Sequence, residues 1–200
     1  MTHAIESRPH PTYADIEALA PNLIGEILGG ELVVRPRPAG PHAVAASNLG
    51  AVIGSRFALG LGGPGGWQII DEPELNLGVD PRFEVVVPDL AGWRLEVMPD
   101  RVETAQFHTV PQWVCEVLSP GTRLRDRTLK LGFYARAGVE HLWFVDPLVE
   151  SLEVYALDGG RWVVIGVWGA DDTVAPPPFD AVPLPLSWLW GRRPAEPPPA

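Results

Sequence analysis

One lysine, Lys130, stands in this chain of 200 residues, where every other Lys/Arg position is arginine. Arginine spreads a permanent charge over a planar fork, whereas lysine is a compact charge whose pKa moves on burial. Position 130 therefore reads as a place that needs a small cation or a group able to exchange a proton. The plain alternative is a lysine left on a solvated helix face. Two carboxylates precede it at informative places. Asp89 follows the apolar run Val85-Val86-Val87-Pro88, and Glu116 lies inside Trp113-Val114-Cys115-Glu116-Val117-Leu118.

A buried parallel strand reads as continuous apolar residues. A glutamate in the middle of one needs a partner, because an unpaired buried carboxylate is very costly. A metal ion or a nearby lysine meets that need. An ion pair with arginine, or a strand edge open to water, would also do so. Asp89, placed after a strand, sits where α/β folds put ligand groups, although Pro-Asp is also a common turn pair. Asp126, Lys130 and Tyr134 are spaced four apart, so they share a helix face. The helix begins soon after the Glu116 strand ends, which lets Lys130 reach Glu116. Two carboxylates and a lysine define a hard-cation site, suited to Mg²⁺ or Mn²⁺ rather than zinc. Such a metal would hold a phosphate and acidify a bound water. The lysine would orient that water or neutralise transition-state charge.

The elements that must position these groups follow from local signals. Thr12 to Leu19 reads as a short helix capped by Thr12 and Asp15. Leu23–Leu28 and Glu31–Arg35, joined by Gly29-Gly30, read as a hairpin. His42 to Leu59 suits a packed helix. The glycine-rich stretch 60–67 lacks a GxxxxGK[ST] pattern and reads as a connector. Strands are expected at Trp67–Ile70, Phe83–Val87, Trp113–Leu118 and His141–Val145. A helix is expected over Arg125–Ala137, ended by Gly138. A second hairpin spans Leu152–Ala156 and Arg161–Trp168. The segment from Pro176 is proline-rich. A helix joining the Trp113 and His141 strands has the length of a parallel crossover, so the fold class is α/β with a mixed sheet. Residues 12–190 read as one domain, with 1–11 and 191–200 as flexible tails.

Composition narrows the function. Hydrophobic content of 46% and charged content of 20% are those of a globular chain. The net charge of −10 argues against a protein that coats nucleic acid nonspecifically. It does not exclude a nuclease, whose metal-holding carboxylates count as negative in the sequence. No apolar run approaches the ~20 residues of a membrane span, and no secretory signal is evident at the start. The single cysteine, Cys115, excludes an intrachain disulfide and fits a reducing cytoplasm. No GxSxG elbow or HExxH pair points to another hydrolase class.

The residues 85–94, VVVPDLAGWR, and 113–147, WVCEVLSPGTRLRDRTLKLGFYARAGVEHLWFVDP, resemble the bacterial putative restriction endonuclease family of the PD-(D/E)XK nuclease superfamily. The likeness runs more loosely through 25–42 and the tail hairpin. It implies a restriction-endonuclease-like mixed sheet flanked by helices, with added N- and C-terminal hairpins. It also implies Mg²⁺-dependent hydrolysis of DNA. Asp89 matches the motif aspartate and Glu116 the (D/E). The superfamily's lysine position falls at Leu118, and in this family Lys130 of the next helix takes its place. Glu26 and His42 match recurring family positions, with Asp126 and Tyr134 as further supporting candidates. The reading is therefore a cytoplasmic, homodimeric DNA endonuclease with Asp89 and Glu116 as metal ligands and Lys130 as the third catalytic group. The rival is a catalytically idle binding or assembly module on the same fold. The acidic charge, the absence of a basic aromatic stripe, and Trp188 and Trp190 as a dimer face support that rival.

Overall fold

The computed structural model of the protein describes residues 10–36, 40–79, 84–98 and 105–192. The expected tails fall largely on 1–9 and 193–200, outside the described residues. The same is true of residue 83 in the expected strand 83–87. The chain opens with α1 (Tyr13–Glu17), whose cap is the expected pair: Thr12 N and Oγ1 both donate to Asp15 Oδ2, at 2.7 and 2.9 Å. Strands β1 (Leu23–Leu28) and β2 (Glu31–Pro36) form an antiparallel hairpin. Gly29 and Gly30 take φ of 63° and 82°, the left-handed region a two-residue hairpin turn needs. Helix α2 (Pro41–Ile53) runs on into a π turn at Gly54–Ala58.

Six strands make the central sheet, in the order β10-β9-β8-β7-β5-β3. They are β3 (Trp67–Asp71), β5 (Leu90–Arg94), β7 (Trp113–Val117), β8 (His141–Asp146), β9 (Ser151–Asp158) and β10 (Arg161–Gly169). Within this sheet only β7 and β8 pair in parallel, and the helix between them is the crossover that parallel pairing requires. Two short strands, β4 (Glu74–Leu75) and β6 (Gln106–Phe107), pair beside the sheet. Two more, β11 (Thr173–Val174) and β12 (Leu184–Pro185), pair in the C-terminal segment.

Alternation along β7 divides the core. Trp113, Cys115 and Val117 join α2 and the C-terminal segment on one face. Val114 joins Phe133 and Tyr134 on the other. The proline-rich stretch is part of this core, with Phe179, Leu184, Leu186 and Leu189 buried. Trp190 packs against it and donates Nε1 to Ala170 O at 2.8 Å, so that ring is half-buried.

Two sequence expectations change. The segment before Asp89 is not a ladder strand: Val85 and Val86 make single bridges to Ile27 and Leu75. The strand is β5, which starts one residue after Asp89. Asp89 therefore precedes a strand instead of following one. The apolar run drew attention away from Leu90-Ala91-Gly92-Trp93-Arg94, whose small residues carry weak strand propensity. The crossover helix also starts earlier. It comprises α3 (Arg123–Arg125), a π turn (Asp126–Lys130) and α4 (Leu131–Ala137), and it ends at Gly138 with φ 83°.

Candidate active site

The site begins with the pairing of β5 and β7. Their register sets Leu90 opposite Cys115 and Ala91 opposite Val114. Continued one residue, it sets Asp89 opposite Glu116. Side chains paired across strands stand on the same face, close together. Asp89 Oδ2 accepts from Val117 N at 2.6 Å, which fixes the aspartate to the neighbouring strand. Its Oδ1 lies 3.3 Å from His42 Nε2, at the start of α2. Asp89, Glu116, His42, Asp126 and Lys130 all line one cavity of about 420 Å³.

The helix after β7 brings its inner face over Glu116. Lys130 is 2% exposed. It donates to Glu116 Oε1 and Oε2, both at 3.0 Å, and to Val87 O at 3.2 Å. It also stands 2.8 Å from Glu26 Oε1 and 3.8 Å from Asp126 Oδ1. Tyr134, one turn on, donates to Glu116 Oε1 at 2.5 Å. The π turn is tied down from outside. Arg127 Nη1 donates to Glu153 Oε2 at 2.9 Å and its guanidinium lies over the Phe144 ring. Trp162 Nε1 caps Leu131 O at 2.8 Å. Single-turn π insertions recur at functional sites.

Glu26, on β1, links the hairpin to this centre. Its Oε1 accepts from Val87 N at 2.8 Å as well as meeting Lys130. Its Oε2 lies 3.9 Å from Arg35 Nε and 3.7 Å from Arg125 Nη1.

One ammonium thus serves three carboxylates, Glu116, Glu26 and Asp126. Burial alone would lower the Lys130 pKa, but those carboxylates together hold it above the ordinary lysine range. The shortfall of positive charge appears on Glu116. Burial pushes its pKa up to about 8, with Lys130 opposing and Asp126, Asp89 and Glu26 adding. Burial likewise raises Asp126 and, with Glu116 beside it, the Tyr134 hydroxyl. Lysine has three protons to donate, and Val87 O and the two glutamates take them. Lys130 is therefore a fixed cation here rather than a group that exchanges a proton.

The donor chemistry suits a hard cation. Asp89 and Glu116 both line the cavity and carry oxygen donors. Among the described residues no group of three or more His, Cys, Asp or Glu side chains stands ready as a ligand set. Two carboxylates still fit Mg²⁺, which keeps several waters and takes further oxygens from substrate phosphates.

Sequence reasoning missed Arg35 and Arg125, which line the same cavity. The hairpin carried a signal for Arg35. The Gly29-Gly30 turn sets Ile24 opposite Arg35, which makes Arg35 a diagonal neighbour of Glu26 on the same face. Arg125 offered no comparable signal.

A mixed six-stranded sheet flanked by helices is a restriction-endonuclease-like fold. The chain belongs to the Uma2 family, described as putative restriction endonuclease, which matches residues 11–187. It is similar in fold to the crystal structure of a putative nuclease belonging to DUF820 from Anabaena variabilis. The TM-score is 0.68 at 22% identity, over 84% of this chain and 90% of that one. Among curated proteins none matches the chain. No helix among the described residues is long and apolar enough to cross a membrane.

Proposed function

We propose that the protein is a metal-dependent endonuclease that hydrolyses DNA phosphodiester bonds. The observation that carries this reading is that Asp89 and Glu116 line one cavity, with Asp89 held by Val117 N next to Glu116 and with Lys130 and Tyr134 bonded to the glutamate. Asp89 and Glu116 would hold Mg²⁺ or Mn²⁺. Bound there, the ion supplies Lewis-acid polarisation of a phosphate oxygen and lowers the pKa of a water.

The chain's own residues prepare that site. Val117 N fixes one oxygen of Asp89 and leaves the other toward the cavity and His42. Tyr134 and Lys130 fix the rotamer of Glu116. Lys130 adds a permanent positive charge beside the place where the phosphate gains negative charge, the kind of preorganised electrostatics that accelerates such reactions. It does not act as the base. The reading takes the enzyme as a cytoplasmic homodimer working on duplex DNA, and sedimentation velocity checks the dimer.

The test is nicking of supercoiled plasmid in Mg²⁺ and Mn²⁺, with Asp89→Asn purified in parallel. The wild type should nick at least about 10²-fold faster than the variant. Equal rates across metals and substrates would replace this reading with the idle-module one. One observation favours that rival: Lys130 already neutralises part of the carboxylate cluster, as a structural ion-pair network would.

A further inference from the structure

The lysine in this cavity has no proton left for a substrate, and two arginines do. The Arg125 guanidinium donates no hydrogen bond to another described residue. Its Nη1 is buried without a hydrogen-bond partner, and its nearest acidic atom, Glu26 Oε2, is 3.7 Å away. Arg35 donates Nη2 to Val87 O at 3.3 Å and holds Nε 3.9 Å from the same Glu26 oxygen. Glu26 therefore tethers both guanidiniums from behind at ion-pair range without closing a hydrogen bond to either. The two come from different walls, β2 and α3, and line the cavity that holds Asp89 and Glu116.

We propose that Arg35 and Arg125 are the phosphate-binding residues of this cavity, gripping a DNA phosphodiester beside the Asp89–Glu116 pair. This rests on the nuclease reading for its substrate. Guanidinium forks match phosphate oxygens in pairs, which a lysine cannot do. The arrangement also resolves a conflict in a chain of net charge −10. Approach of a phosphate to Glu26, Asp89, Glu116 and Asp126 is repulsive, and Lys130 is committed to three of those carboxylates. Among the described lining residues, the arginines are the remaining Lys/Arg cations. Glu26 becomes a positioning residue that aims them.

The experiment is fluorescence anisotropy with a short labelled DNA duplex in Ca²⁺, across a series of KCl concentrations, with inorganic phosphate as competitor. Arg35→Gln and Arg125→Gln should each weaken binding roughly tenfold and lower the salt slope by about 0.9. Arg125→Lys should keep the slope and bind with intermediate affinity. Arg161→Gln, at an exposed arginine that starts β10, should change neither. Inorganic phosphate should compete with the wild type and not with the double glutamine variant. Unchanged affinity and slope in that double variant would overturn the assignment, as would no duplex binding by the wild type. So would an Arg125→Lys protein that loses slope as Arg125→Gln does, because the effect would then be structural. Failure of the nuclease reading shows elsewhere, in equal plasmid nicking by wild type and Asp89→Asn.

Discussion

Strand β7 turns Trp113, Cys115 and Val117 to one face of the sheet and Val114 and Glu116 to the other, and all five are buried. On the first face the rings of Trp67, Trp113, Trp143 and Phe57 surround Phe179, with centroids 4.6 to 5.7 Å from it. Trp143 Nε1 finds Pro177 O at 2.9 Å. On the second face, buried charge sits beside the rings of Phe133, Tyr134 and Phe144: Lys130 among Glu26, Glu116 and Asp126. The aromatic face gains stability from every ring it buries. The ion cluster on the second face gains little, because desolvation of its ions offsets their attraction. The same strand thus carries a region that stabilises the fold and a region that the fold must hold in place.

Deleting the hub of the aromatic face is expected to have a large effect on stability. Phe179→Ala should cost about 3–5 kcal/mol and lower Tm by on the order of 10 °C. Nicking per folded molecule at low temperature should be unchanged. A calorimetric loss below about 1 kcal/mol would show that the ring cluster is not the anchor.

The charged face should respond differently to removing one partner and removing all of them. Lys130→Ala leaves buried carboxylates unpaired and should cost about 3–5 kcal/mol, along with nicking activity. The triple variant Glu26→Gln, Lys130→Met, Glu116→Gln should remain within about 1 kcal/mol of wild type, or exceed it, and be inactive. Lys130→Arg should be badly impaired, because a broad planar fork cannot set one compact charge among Glu26, Glu116 and Asp126 as the ammonium does. Chemical denaturation separates these outcomes. A triple variant as unstable as Lys130→Ala would mean that the charged face does stabilise the fold.

Metal addition should act on one face alone. Mg²⁺ or Mn²⁺ well above its Kd should stabilise the wild type by about 1–3 kcal/mol. Asp89→Asn with Glu116→Gln should abolish that rise, and a Tm indifferent to millimolar Mn²⁺ would count against the pair as ligands.

The finest test of the contrast is the sign of the pH response. Glu116 has its folded pKa raised from 4.5 to about 8, so the folded state holds its proton more tightly. Its contribution is present at low pH and lost as pH rises through that window. His141, at the aromatic end of β8, has its pKa lowered by burial from its ordinary 6.5. The unfolded chain then binds more protons below that value, and stability is lost as pH falls. Without metal, Glu116→Gln should flatten the alkaline limb of Tm against pH, and His141→Gln the acid limb. Each variant flattening the other's limb would dissolve the distinction.

Much of the framework was legible because its causes are local. Gly29-Gly30 and Gly159-Gly160 supply the positive φ of two-residue turns, and both hairpins form there. Gly138 ends its helix for the same reason. An apolar run interrupted by Glu116 marked a buried carboxylate in need of a partner. Four-residue spacing put Asp126, Lys130 and Tyr134 on one face, and all three are buried.

Tertiary structure decided the rest. Strand β5 exists because its neighbours accept small residues: a Cβ on Gly92 would meet Ile69 at 2.9 Å and Trp113 at 3.1 Å. Only that pairing places Asp89 opposite Glu116. The proline-rich segment became a core lid because Phe179 found four rings supplied by three other elements and the loop-facing end of α2's π turn. Glu26 meets Lys130, Arg35 and Arg125 only after β1, β2 and the crossover helix have packed. Local sequence sets turns, caps and faces because their energetics act within a few residues. Which faces meet, and which charges share one cavity, depends on long-range packing that no window of the sequence contains.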